Sequence, residues 1–185
     1  MRELPLVRSM LVGGALLALA APVAHAQTTS STGGQAYGAA APVTPGAVAQ
    51  IVDGVAQAPA DAPEAVKQVI AAGNRIVGMP YRYGGGHGPG FTDTGYDCSG
   101  SMSFALNGAD LLKRPLNSTG FMRFGQRGAG TWITIYTRSS HAYLTVAGIR
   151  LDTSAADDPG GAKGPRWRPL RPSDAGYTVR HPAGL

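Results

Sequence analysis

The feature that most constrains this chain is the segment Tyr81–Gly100, which joins a glycine-rich loop to the only cysteine of the protein. Cys98 is followed by Ser99-Gly100 and then by SMSFALNGA, whose apolar pattern predicts a helix that begins at Asp97 or Cys98 and ends near Gly108. A thiol in the first turn of a helix lies near unpaired N–H groups and the positive end of the macrodipole, and both favour thiolate. The same N–H groups could bind a developing oxyanion. A buried cysteine that only packs the start of the helix is the alternative.

The amino-terminal sequence has the layout of a secretory signal peptide. Arg2 and Arg8 accompany an apolar run over 10–21, and the small residues of Ala24-His25-Ala26 predict cleavage after Ala26. The run is shorter than the roughly 20 residues that span a bilayer, which disfavours an uncleaved anchor. We therefore expect 1–26 to be a signal peptide and the mature protein to be secreted or in the cell envelope, without a membrane span. A lone cysteine in an exported chain cannot form an internal disulfide, which favours a functional thiol.

Composition divides the rest of the chain into a linker and a domain. Residues 27–62 are rich in Ala, Pro, Ser and Thr, and we expect them to form a flexible linker because they bury too little apolar surface to offset their ordering entropy. Residues 63–185 are predicted to form one monomeric domain. The formal net charge of +5 would attract an anionic envelope polymer or a carboxylate-bearing substrate. Basic residues do not alternate with aromatic ones in a stripe, so we expect no nucleic-acid partner.

The domain reads as helices followed by strands. A helix is predicted from Glu64, ended by Gly78 and Pro80. Strand-like runs over 131–137, 141–147 and 149–153 predict an antiparallel meander, with a last edge strand over 177–181. Trp167 is predicted to anchor the tail. This order predicts an α+β fold in which amino-terminal helices pack on a small antiparallel sheet.

A thiolate nucleophile needs a histidine partner, and that histidine needs an orienting group. Beyond the predicted signal peptide the candidates are His87, His141 and His181, and we favour His141 because it begins a strand directly after a turn. If a tight turn near Gly148 joins this strand to the next, Asp152 can accept a hydrogen bond from the imidazole. A surface carboxylate is the alternative for Asp152. The histidines and the cysteine lack metal-ligand spacing, so neither a metal nor another cofactor is expected.

These motifs resemble the NlpC/P60 cysteine peptidases of bacterial cell walls over roughly 64–153. Tyr81 matches the tyrosine of the family motif PY-x-[YW]-GG, the stretch 97–100 matches DCSG, and His141 matches the histidine that opens an HVGIY-like strand. The third catalytic position of the family, a polar residue that is often His, falls on Asp152. Relative to the family, the loop before Cys98 carries the insertion HGPGFTDTG.

The resemblance implies a papain-like α+β fold and hydrolysis of peptide bonds in peptidoglycan stem peptides, typically the D-glutamyl–diaminopimelate bond. By this resemblance Cys98 attacks the carbonyl, His141 protonates the leaving amine and Asp152 orients His141. The Cys98 N–H and the Tyr81 hydroxyl would stabilise the oxyanion.

In some family members the residues that flank the cysteine bind the free amino terminus of the substrate, which makes Asp97 and Ser99 candidates for substrate binding. Two other functions stay open at this point. The same Cys98–His141 pair could carry out acyl or amide transfer, or the domain could be a non-catalytic module that binds cell walls.

Overall fold

The computed structural model describes residues 43–44, 46–154 and 163–185. The predicted signal peptide and residues 27–42 of the predicted linker lie outside the described residues. The elements, in chain order, are β1 (Val43–Thr44), β2 (Gln50–Val52), β3 (Val55–Pro59), α1 (Glu64–Ile76), α2 (Cys98–Gly108), α3 (Ser118–Phe121), β4 (Gln126–Arg127), β5 (Ile133–Arg138), β6 (His141–Val146), β7 (Ile149–Asp152), β8 (Arg166–Arg168) and β9 (Thr178–His181).

In the described part of the chain, a six-stranded sheet has the order β4-β9-β5-β6-β7-β8, with every neighbouring pair antiparallel. The predicted meander β5-β6-β7 and the α+β class are confirmed. The prediction of β9 as an edge strand is wrong, because β9 pairs with β5 on one side and with the two-residue strand β4 on the other. The sequence of β4, Gln126-Arg127, is too short and too polar to predict a strand.

Helices α1 and α2 pack against each other and cover one face of the sheet. The predicted start of α1 at Glu64 is confirmed, and its apolar residues Val66, Val69 and Ile70 are fully buried. The alternation of strand residues sends Ile135, Leu144 and Leu151 to the same core. The opposite face carries Tyr136, Tyr143 and Asp152, and the carboxy-terminal segment contacts this face.

The prediction of a flexible linker over 27–62 is wrong for residues 46–62. Strands β2 and β3 form a hairpin across Asp53 and Gly54, whose φ angles are 51° and 81°. The side chain of Asn74 on α1 accepts a hydrogen bond from the Ala56 N–H (2.9 Å) and donates one to its carbonyl (2.8 Å). Small alanines let the hairpin approach the helix closely. Close packing and hydrogen bonds therefore hold the hairpin on α1, although it has few large apolar side chains. The Asp-Gly pair was a hairpin signal in the sequence.

Trp167 anchors β8, as predicted. Its ring is buried, and Nε1 donates to Asn74 Oδ1 at 2.7 Å. Asn74 therefore ties the amino-terminal hairpin, α1 and the far edge of the sheet together.

Candidate active site

Cys98 is the first residue of α2, and Asp97 is its N-cap. The Asp97 carboxylate accepts a hydrogen bond from the Gly100 N–H at 2.7 Å, which explains why the helix begins here. Gly100 is required because a Cβ at this position would lie 1.9 Å from the Gly85 carbonyl oxygen. The backbone of the glycine loop thus packs directly on the first turn of α2.

His141 and Asp152 lie side by side on neighbouring strands. A tight turn at Ala147 and Gly148, with φ angles of 46° and 82°, joins β6 to β7 and pairs Val146 with Ile149. Nε2 of His141 lies 2.9 Å from Oδ1 of Asp152, and the carboxylate has no exposed surface. The surface alternative for Asp152 is excluded, since the side chain is buried and paired.

Cys98 and His141 lie close enough for each side chain to shift the pKa of the other. Burial by itself lowers the pKa of His141, but hydrogen bonds to Asp152 and Cys98 and the charges of both raise it to about 9. Burial raises the pKa of the Cys98 thiol, yet the hydrogen bonds with His141, Ser118 and the Ala142 backbone outweigh it, so the pKa is lowered. Because Nε2 faces Asp152, Nδ1 is the ring nitrogen left for Cys98. The arrangement favours a thiolate–imidazolium pair.

Asp152, the partner of His141, is ionised at neutral pH. Burial raises its pKa, but the hydrogen bond from His141, the charge of His141, the Ser154 N–H and the charge of Arg150 lower it below the ordinary 3.8. Two side chains at the site, Ser118 and Arg150, were not expected from the sequence. Arg150 lies two residues before Asp152 on β7, which places both on one face of the strand.

Ser118 contacts the thiol, with Oγ 3.8 Å from Sγ of Cys98. It is the first residue of the single turn α3, and its carbonyl accepts a hydrogen bond from Thr137 Oγ1 at 2.6 Å. Asn117 caps this turn by accepting from the Gly120 N–H. The Asn-Ser-Thr-Gly sequence signals such a turn, but not that it folds back onto Cys98.

Tyr81 lies at the edge of the site and is 41% exposed. Its pKa is raised by burial and by the negative charges of Cys98 and Asp97, so its hydroxyl keeps its proton and can donate a hydrogen bond. The backbone of Tyr81 forms a bridge with Tyr96, just before α2. A role of Tyr81 in oxyanion stabilisation stays a prediction.

Asp97 and Ser99 are buried and make contacts within the protein. Nε2 of His87 lies 3.0 Å from Asp97 Oδ1 and 3.2 Å from Ser99 Oγ, and the second Asp97 oxygen accepts from the Gly84 N–H at 3.0 Å. Because both partners meet the same ring nitrogen, this cluster does not have the geometry of a catalytic relay. It holds the inserted loop on α2. Substrate binding by Asp97 and Ser99 stays a prediction.

The third histidine, His181, lies on β9, where Nδ1 is 3.0 Å from the Gly128 carbonyl oxygen. Of the three predicted candidates, the structure therefore brings His141 to the thiol, while His87 pairs with Asp97 and His181 with a loop carbonyl.

Within the described ranges, no group of three or more His, Cys, Asp or Glu side chains is arranged to hold a metal ion. Over the same residues, none of the helices combines the length and the apolar character needed to cross a membrane.

No protein-family model matches the chain, and no curated protein matches it. Among solved structures, the chain is similar to the peptidoglycan hydrolase RipB from Mycobacterium tuberculosis, with 29% identity over 64% of each chain and a TM-score of 0.49. It is also similar to a hypothetical invasion protein of Mycobacterium tuberculosis, with 23% identity over 63% of this chain and 62% of that chain and a TM-score of 0.45. A variant of the Resuscitation Promoting Factor Interacting protein RipA matches with 22% identity over 64% of this chain and 62% of that one, with a TM-score of 0.45. The chain thus covers less than two thirds of each of these proteins.

Proposed function

We propose that the protein is a secreted cysteine peptidase that hydrolyses peptide bonds in peptidoglycan stem peptides, of the D-glutamyl–diaminopimelate type. The observation that carries the proposal is the arrangement of Cys98, His141 and Asp152: the thiol lies in the first turn of α2 beside His141, and Nε2 of His141 lies 2.9 Å from Oδ1 of Asp152. A lowered thiol pKa beside a raised imidazole pKa is what nucleophilic catalysis by cysteine requires. The motif resemblance supplies the substrate class, and the net charge of +5 suits a substrate rich in carboxylates.

In the proposed reaction, the Cys98 thiolate forms a bond to the scissile carbonyl carbon and the carbonyl electron pair moves to oxygen. The oxyanion is stabilised by N–H groups at the start of α2 and by the Tyr81 hydroxyl. Collapse of this intermediate breaks the C–N bond, and the leaving amine takes its proton from the imidazolium of His141. His141 then accepts a proton from water, which attacks the thioester and restores the thiolate. Asp152 holds the imidazole in one orientation throughout.

The experiment compares muropeptide cleavage by the wild-type protein with that by Cys98→Ala and His141→Ala. Purified stem peptides that contain the D-glutamyl–diaminopimelate bond are incubated with each protein, and the products are identified by mass spectrometry. We expect each variant to lose about a thousandfold or more in rate, since the members of such a site act as a unit. His181→Ala is the matched control and should cleave at the wild-type rate.

Three results would contradict the proposal. Cleavage that survives Cys98→Ala excludes the thiol mechanism. Products that carry an added amine with little net hydrolysis indicate a transferase. Sedimentation with insoluble cell walls, without cleavage and without iodoacetamide labelling of Cys98 at neutral pH, indicates a binding module.

A further inference from the structure

The buried carboxylate of Asp152 is surrounded by arginines as well as by His141. Oδ1 accepts from the Ser154 N–H at 2.9 Å in addition to its contact with His141. Oδ2 accepts from Arg150 at 2.7 Å and lies 3.6 Å from Arg171. The two oxygens therefore have different partners, with His141 on one and the guanidinium groups on the other.

Arg150 is itself almost fully buried, with 3% of its side chain exposed. A buried guanidinium is costly unless an anion compensates its charge, and a buried carboxylate has the same need. Each group thus keeps the other ionised at this position. Without the arginine, the pKa of Asp152 would lie higher, because the Arg150 charge is one of the influences that lower it.

The carboxy-terminal segment supplies the second cation. After β8, whose Arg168 donates to the Asp152 carbonyl oxygen at 2.6 Å, the chain turns back across the outer face of the sheet. There the Arg171 guanidinium lies 5.5 Å from the Tyr143 ring centre, and the Tyr143 hydroxyl donates to Asp174. Tyr177 packs edge-on against the same ring, at 5.1 Å between ring centres. Tyr143 therefore fastens the segment 169–177 beside the catalytic carboxylate.

We propose that Arg150 and Arg171 are positioning residues of the Cys98–His141–Asp152 site, and that the segment 169–177 is a structural part of this site. The inference rests on the proposed function, since it concerns the same nucleophile. It assigns a role to a tail whose sequence alone indicates none. Arg150 sets the second carboxylate oxygen of Asp152, so that the first one points at His141, and Arg171 adds positive charge from the tail.

Among the described residues, the charged and titratable groups around Asp152 lie on three strands and the tail. They are His141 and Tyr143 of β6, Arg150 of β7, Arg168 of β8, and Arg171, Asp174 and Tyr177 of the tail. Removal of one guanidinium charge from this set destabilises two anions, the Asp152 carboxylate and the Cys98 thiolate. The acid limb of thiol reactivity should therefore move to higher pH. The alkaline titration of His141 should not move to lower pH, because the loss of a positive neighbour favours the imidazolium.

The test measures the rate of Cys98 alkylation by iodoacetamide as a function of pH in the full chain. Arg150→Gln removes the charge and keeps a polar side chain, whereas Arg150→Lys keeps the charge. We expect Arg150→Gln to react about threefold more slowly on the acid side, a displacement of about half a pH unit, and Arg150→Lys to recover most of the loss. Arg171→Gln should shift the limb in the same direction by less, because its contact is longer. Arg127→Gln, which removes the same charge at the opposite edge of the sheet, should match the wild type.

Circular dichroism and thermal melting of each variant separate a positioning role from a merely structural one. If Arg150→Gln does not fold, Arg171→Gln, whose side chain is partly exposed, carries the test alone. An acid limb that coincides with the wild type in the folded variants overturns the proposal, even where the melting temperature falls. Low-pH alkylation of the wild type together with failure to cleave muropeptides would overturn the proposed function and leave this inference testable. A wild-type thiol that reacts only near the free-thiol pKa of about 8.5 would overturn both.

Discussion

Replacement of Asp152 by Asn removes the charge that holds His141 protonated and changes the shape of the side chain very little. The rise in the His141 pKa from 6.5 to about 9 amounts to about 3 kcal/mol in favour of the imidazolium, at about 1.4 kcal/mol per pH unit. Burial opposes this rise, and among the influences that favour it the hydrogen bond to Asp152 is the largest. We therefore expect Asp152→Asn to remove about half of the effect or more, which lowers the His141 pKa by at least about one pH unit.

The measurement is an NMR titration of the imidazole C–H resonances in both proteins. The His141 signal is identified by its absence in His141→Ala. Asp110→Asn is a suitable control, because Asp110 is an exposed residue that pairs with Lys113. An unchanged midpoint of about 9 in Asp152→Asn would refute the reasoning, since the carboxylate would then contribute nothing to the imidazolium.

The same substitution tests the linkage between protonation and stability. The pKa of Asp152 is lowered in the folded protein, so its contribution to the free energy of unfolding is present above about 3.8 and is lost as the pH falls through the folded value. Urea unfolding at a series of pH values should show that the stability advantage of the wild type over Asp152→Asn shrinks on acidification. An advantage that stays constant from pH 7 into the acid range would contradict this assignment.

Three further predictions concern the surroundings of the site. Ser118→Ala removes a hydrogen bond that lowers the Cys98 pKa, so alkylation at neutral pH should slow by about threefold, and an unchanged rate would mean that the contact at 3.8 Å has no influence. Gly100→Ala places a Cβ against a backbone carbonyl and should lower the free energy of unfolding, measured in thermal melts, by about 3 kcal/mol. In Gly88→Ala the new Cβ meets no atom within 4 Å, so the free energy of unfolding should hardly change. Trp167→Phe loses the indole donor and should lower the free energy of unfolding in urea by about 1 kcal/mol, and equal stability would show that this bond is dispensable.

Local patterns in the sequence predict the parts of the site that depend on neighbouring residues. The cap at Asp97 and the apolar residues after it place Cys98 at the start of α2. Two β-branched runs around Gly148 place His141 beside Asp152, because a tight turn leaves a single register that buries Leu144 and Leu151. These interactions join residues close in the chain, so periodicity and turn chemistry carry the information.

Only the tertiary structure decided which distant segments meet at the thiol. Ser118 and Arg171 lie far from their partners in sequence, and neither residue type nor spacing marks them as neighbours of Cys98 and Asp152. The hairpin over 50–59 joins the domain through alanine packing and an asparagine side chain. The composition of this segment predicts a linker instead. The position of β9 inside the sheet follows from its pairing with β4. In each case packing and charge compensation between remote segments determine which residues meet. Periodicity along the sequence does not show which distant segments pack together.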